Sequence, residues 1–218
     1  MAERAGTPAR LALLLSGRGS NFLAIQEAIE RGELPARIVA VVSNRADAAG
    51  LEKARERGLP AHAIPHRDAS GILGRDEHEA RVLEVLERAE AEWVCLAGYM
   101  RLLSPTFVAR FRHRMVNIHP SLLPSFPGLA AQEQAIAHGV RVSGCTVHLV
   151  DEGLDSGPIV VQRCVPVVEG DTAESLAARI LVEEHRAYVH ALQRLLTETW
   201  AVEGRRLVFG EDRSPIGE

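Results

Sequence analysis

Short continuous apolar runs alternate, over the first half of the chain, with stretches whose apolar positions recur every three or four residues. "RLALLL" (10–15) reads as a buried strand. "NFLAIQEAIERG" (21–32) puts Phe22, Ile25, Ala28 and Ile29 on one helical face, with Gly32 to stop it. "ARIVAVVSN" (36–44) is the next strand, and Asp47 is positioned to cap a helix that runs to Arg57 and ends at Gly58. "LPAHAIP" (59–65) is a third strand. A long helix follows over 75–90, with Val82, Val85, Leu86 and Ala89 on one face, and "EWVCLAG" (92–98) is a fourth strand. Repeated strand–helix–strand units demand right-handed crossovers, so the predicted fold is α/β: a Rossmann-like, mostly parallel sheet with helices on both faces.

The pattern changes in the second half. "RMVNIH" (114–119) is strand-like and "AAQEQAIAHG" (130–139) helical, while "VSGCTVHLV" (142–150) and "GPIVVQRCVPV" (157–167) read as paired antiparallel strands. Thr172 caps a long helix over 172–196, and "WAVEGRRLVF" (200–209) reads as a hairpin turning at Glu203-Gly204. Without an internal repeat, a linker or a low-complexity run, one domain is expected over 1–218. It comprises a loose N-terminus (1–9), a mononucleotide-binding half (10–99), a second half (100–198) that carries the chemistry, and a hairpin with a tail (199–218).

Composition narrows the function. A net charge of −4 and a pI near 6.2 supply no basic excess for nucleic acid. No stretch approaches the ~18 apolar residues of a membrane span, and "MAERAGTPAR" is too short and polar for a signal peptide, so a cytoplasmic location is expected. Cys95, Cys145 and Cys164 lie in apolar strand-like runs without metal or disulfide spacing, so they read as reduced core thiols, and no metal site is expected.

Three stretches carry candidate chemistry. "SGRGSN" (16–21) stands between the first strand and the first helix. Gly17 and Gly19 allow close backbone approach, Ser20 or Asn21 is placed to cap the helix, and the free N–H groups make an anion site. It lacks the Gly-Lys-Ser/Thr of a Walker loop and the third glycine of a dinucleotide fingerprint, so it reads as a monophosphate site or as a plain capped turn. In "VNIHPSLLPSFPG" (116–128), Asn117 and His119 sit where a strand runs into a loop stiffened by Pro120, Pro124 and Pro127. In "VDEGLDSGPIVVQ" (150–162), Asp155 tips an acidic loop between two strands that can face that strand end. Asn, His and Asp then read as oxyanion donor, general acid and orienting carboxylate for acyl transfer without a covalent intermediate. His148 points to the same cleft as possible support. His62, His66, His78, His113, His138, His185 and His190 read as surface or packing residues.

"SGRGSN", "AGYMRLLSP", "NIHPSLLPSFPG" and "GCTVHLVDEGLDSGPIVVQ" resemble the phosphoribosylglycinamide formyltransferases, folate-dependent enzymes of purine biosynthesis, in order from about residue 10 to 195. The resemblance implies formyl transfer from 10-formyltetrahydrofolate, a co-substrate, to glycinamide ribonucleotide, without a metal, by a monomer or homodimer. It puts catalysis on Asn117, His119 and Asp155. The ribonucleotide and its phosphate fall to Gly19, Ser20, Asn21 and Glu184. The folate falls to Arg75, Met100, Arg101, Leu102, Leu103, Asn117 and the loop Asp151, Glu152, Gly153, Leu154 and Asp155. Many members carry a His soon after the loop Pro-Gly, which "GLAAQEQA" lacks, and "HRDASGILGRDEHEA" matches loosely; these departures touch loop closure and the Arg75 contact. The alternatives are a formyltetrahydrofolate deformylase, which has no use for the phosphate loop, a methionyl-tRNA formyltransferase, which the length and acidity disfavour, and a non-catalytic binding module.

Overall fold

The computed structural model describes residues 7–68 and 71–210. Its elements run, in chain order, β1 (Ala9–Leu15), α1 (Ser20–Glu30), β2 (Ala36–Ser43), α2 (Ala49–Glu56), β3 (Ala61–Ala63), β4 (Arg67–Asp68), β5 (Gly71–Ile72), α3 (Arg75–Arg88), β6 (Trp93–Leu96), α4 (Pro105–Arg110), β7 (Met115–His119), α5 (Ala131–Ala137), β8 (Val142–Leu149), β9 (Ile159–Pro166), α6 (Ala173–Thr197), β10 (Trp200–Glu203) and β11 (Arg206–Phe209). One nine-stranded sheet has the order β10-β11-β9-β8-β7-β6-β1-β2-β3. Strands β3, β2, β1, β6 and β7 are mutually parallel; beyond them β8 runs antiparallel to β7, and β9 pairs antiparallel with β8, the pairing expected of the second half.

Both faces of the sheet are covered. Along β1, Leu11, Leu13 and Leu15 join Phe22 and Ile25 of α1 and Ile180, Tyr188 and Leu192 of α6 in one core. The intervening Ala12 and Leu14 pack on the other face with Val82 and Leu86 of α3 and Phe107 of α4. This two-sided burial explains why the parallel strands read as continuous apolar runs. Tyr188 is fully buried on α6, and its hydroxyl lies 3.1 Å from the Leu96 carbonyl and 3.0 Å from that of Val116. The long helix is thereby tied to the end of β6 and to β7. Thr172 caps it in a reciprocal box with Ser175.

Several expectations need correction. Asp47 does not cap α2: its carboxylate pairs with Arg45 at 2.9 Å, and Ala48 occupies the cap position without a side-chain bond. The third strand shrinks to the three residues of β3, because it is an edge strand paired only to β2. Ala9 is already in β1, so the N-terminus is ordered from there; residues 1–6 and the tail 211–218 lie outside the described residues. Cys95 and Cys145 are buried, but Cys164 is exposed on β9. Helix α4 and the β4–β5 hairpin were not predicted, being too short to show a period. No helix among the described residues is long and apolar enough to cross a membrane.

Candidate active site

The chain leaves β1, builds β2 and β3 outward, then returns to lay β6 on the other side of β1. Strand order reverses there, and the crevice at the carboxyl ends of β1 and β6 is where an open α/β sheet takes its ligands. The glycine loop follows β1 and the segment 97–103 follows β6. The two are bonded directly: Ser16 donates its backbone N–H to the Gly98 carbonyl at 3.0 Å, and Met100 donates its N–H to Ser16 Oγ at 2.8 Å.

In the glycine loop the cap position of α1 is Gly19, in the left-handed region at φ 71°, with no side-chain cap bond. Neither Ser20 nor Asn21 caps the helix, contrary to expectation. A Cβ on Gly19 would stand 2.9 Å from the Gly50 backbone of α2, so glycine is required both by φ and by close approach. The Asn21 side chain turns inward instead and donates Nδ2 to Glu184 Oε2 on α6 at 2.7 Å. Asn21 Oδ1 is buried and has no hydrogen-bond partner among the described residues. Burial pushes the Glu184 carboxyl up, more than the Asn21 bond and the His119 and Arg18 charges pull it down.

The antiparallel register sets the trio. β7 pairs with β8 so that Asn117 faces His148 and His119 faces Thr146. Asp155 arrives from the loop after β8, in a left-handed conformation at φ 49°, with its side chain only 11% exposed. Its Oδ2 lies 3.3 Å from His119 Nδ1 and accepts the Gly128 N–H at 2.8 Å. Its Oδ1 lies 3.5 Å from Asn117 Nδ2 and 3.7 Å from His148 Nε2. His119 Nε2 sits 2.8 Å from the Phe126 carbonyl. Both ring nitrogens thus face acceptors, and only a doubly protonated imidazolium donates to both.

His148 takes the other form. Burial holds its pKa down, with the Leu149 carbonyl and Asp155 pulling the opposite way. Its Nδ1 meets the Leu149 carbonyl at 2.9 Å, so Nε2 carries the lone pair and accepts from Asn117 Nδ2 at 3.3 Å. Asn117 is therefore aimed by its two long bonds, to His148 and Asp155.

Two polar residues missed in the sequence hold the adjoining loop. Thr146 Oγ1 donates to the Ser121 carbonyl at 2.7 Å and accepts the Leu123 N–H at 3.0 Å, and Gln162 Nε2 donates to the Leu123 carbonyl at 2.9 Å. The signal was available in the strand period, since Thr146 and His148 are two apart on β8 and share a face.

The remaining predicted residues divide. Met100 and Leu102 are each 68% exposed and Leu154 is 56% exposed, an unusual display of large apolar side chains beside a cleft. Arg101 and Leu103 are half-buried, and Asp151, Glu152 and Gly153 are exposed. Asp151 shapes its own loop by accepting from the Gly153 N–H and the Ser156 hydroxyl. Arg75 begins α3 in an exposed position, with no hydrogen bond or ion pair among the described residues.

Residues 9–192 match the formyl transferase family. The phosphoribosylglycinamide formyltransferase of Escherichia coli (strain K12) is 38% identical over 195 residues, 89% of this chain and 88% of that protein. The trifunctional purine biosynthetic protein adenosine-3 of Drosophila pseudoobscura pseudoobscura is 47% identical over 188 residues; the match covers 85% of this chain, which spans 14% of that longer protein. The crystal structure of glycinamide ribonucleotide transformylase 1 from Symbiobacterium toebii superposes with a TM-score of 0.90 at 45% identity, covering 97% of this chain and 98% of that one. With family match, relatives and fold in agreement, the chain belongs to the formyl transferase family.

Proposed function

We propose that this chain transfers the formyl group of 10-formyltetrahydrofolate to the amine of glycinamide ribonucleotide, giving formylglycinamide ribonucleotide and tetrahydrofolate in de novo purine biosynthesis. The observation that carries the reading is Asp155, held between His119 and Asn117 at the end of β7. The amine nitrogen attacks the formyl carbon, forming the new C–N bond and an oxyanion. Collapse of that intermediate breaks the bond to the folate N10, which takes up the proton the amine gives up. An N–H of His119 and the Asn117 amide stabilise the oxyanion, and Asp155 orients His119 and relays the proton through water.

Direct transfer is in keeping with the state of the two buried cysteines. Burial pushes the thiols of Cys95 and Cys145 up to about 12, so neither supplies a thiolate at neutral pH. The chemistry also asks for movement. His119 Nε2 reaches a substrate oxygen once the Phe126 carbonyl gives way, and Asn117 does so by exchanging one of its long bonds. The ribonucleotide phosphate takes the N–H groups at Gly19, Ser20 and Asn21. The open Oδ1 of Asn21 and the Glu184 carboxyl offer polar contacts for the rest of that substrate. Met100, Leu102 and Leu154 give the folate ring system an apolar bed, with Arg101, Leu103 and the 151–155 loop around it.

His119→Ala tests the assignment. Turnover is expected to fall about a thousandfold while folate affinity, read by calorimetric titration, stays within about threefold. Near-native turnover would overturn it.

A further inference from the structure

The segment that follows β6 is held at both of its ends by side chains from other elements. At its start, Met100 N–H is received by Ser16 Oγ, and that hydroxyl donates to Asn44 Oδ1 at the end of β2 at 2.5 Å. At its end stands Glu79 of α3, only 5% exposed. Glu79 Oε1 accepts the backbone N–H of Ser104 at 2.8 Å, and Oε2 accepts the Ser104 hydroxyl. The same hydroxyl accepts the Phe107 N–H at 3.2 Å, which caps α4. One buried carboxylate thus takes both donors of the residue at which the segment turns into a helix. Between the two anchors, Met100 and Leu102 stay open to solvent.

A buried carboxylate is retained at a cost in desolvation, so its partners define what it is for. Among the described residues the hydrogen-bonding partners of Glu79 are Ser104 alone. We propose that Glu79 is a positioning residue for the folate co-substrate: through Ser104 it sets the height and angle at which residues 100–103 meet the ligand. This rests on the reading of 100–103 as a folate contact given above. Pre-organisation of a binding segment lowers the ordering cost of association, so its loss appears in affinity for the ligand of that segment and not in the chemical step.

The test is steady-state kinetics of Glu79→Gln, Ser104→Ala and the double variant, with both substrates varied and thermal melting run beside them. Each single variant is expected to raise KM for 10-formyltetrahydrofolate about tenfold, the scale of a lost charge-assisted hydrogen bond. The KM for glycinamide ribonucleotide and kcat at saturating folate should stay within about twofold. The double variant should be no worse than the more impaired single, because both singles disrupt the same Glu79–Ser104 contact. An unchanged folate KM, an equal rise in both KM values, or failure of both single variants to fold would overturn the proposal in favour of a purely structural contact. Leu102→Ala separates this from the reading beneath it. If Leu102→Ala raises the folate KM while the Glu79 and Ser104 variants do not, only the positioning role fails. If Leu102→Ala leaves it unchanged, the folate assignment of the segment fails.

Discussion

Asn21 and Glu184 lie 163 positions apart in the chain and share a 2.7 Å hydrogen bond in the cleft. Burial keeps the Glu184 proton bound in the folded chain at pH values where the unfolded chain has released it. The contribution of this group to stability is therefore full below the ordinary glutamate value and is lost as pH rises through the raised folded value. Glu184→Gln removes that loss. Its melting temperature should exceed the parent's by a margin that grows from acid to neutral pH, while its ribonucleotide KM rises. A margin that is flat across that range would contradict the shift. At this scale the trio was legible, because Asn117 and His119 alternate on one strand face and Asp155 tips a Gly-rich loop. The partners were not legible. Phe126 and Gly128 contribute backbone atoms, which carry no side-chain signal, and the bond between Asn21 and Glu184 depends on how α1 and α6 pack.

At the scale of elements, the loop between β8 and β9 depends on Gly157. A Cβ there would stand 1.9 Å from the Leu149 carbonyl, a backbone atom that cannot yield without opening the strand pair. Gly157→Ala should lower stability by about 2–3 kcal/mol, read from urea unfolding, and should cost turnover by displacing Asp155. Wild-type stability and turnover would show that the loop has slack. The long elements were readable because their burial is regular: α6 keeps Leu176, Ile180, Glu184, Ala187, Tyr188, Ala191, Leu192 and Leu195 inward over its length. Glu184 breaks that apolar stripe with a buried carboxylate. Helix α4 escaped notice because six residues hold too few turns for a pattern. Asp47 misled because an exposed Arg two positions before it competes for the same carboxylate.

For the whole molecule, the return of the chain from the β3 edge to β6 brings two loops together at the reversal of strand order. One carries the glycine turn, the other the apolar residues 100–103, and Ser16 bonds one to the other. The trio stands beside this crevice at the end of β7, where the proposed reading brings a ribonucleotide and a folate together over His119. The alternation of strands and helices made this architecture readable; the side-by-side placement of the two loops came from tertiary pairing of β1 with β6. In the proposed activity the chain moves a formyl group between two substrates. Its most direct test is tetrahydrofolate release from 10-formyltetrahydrofolate, measured with and without glycinamide ribonucleotide. Release that requires the ribonucleotide, with one formylated product per folate, is the predicted result. Equal release in its absence would make water the acceptor and the chain a deformylase.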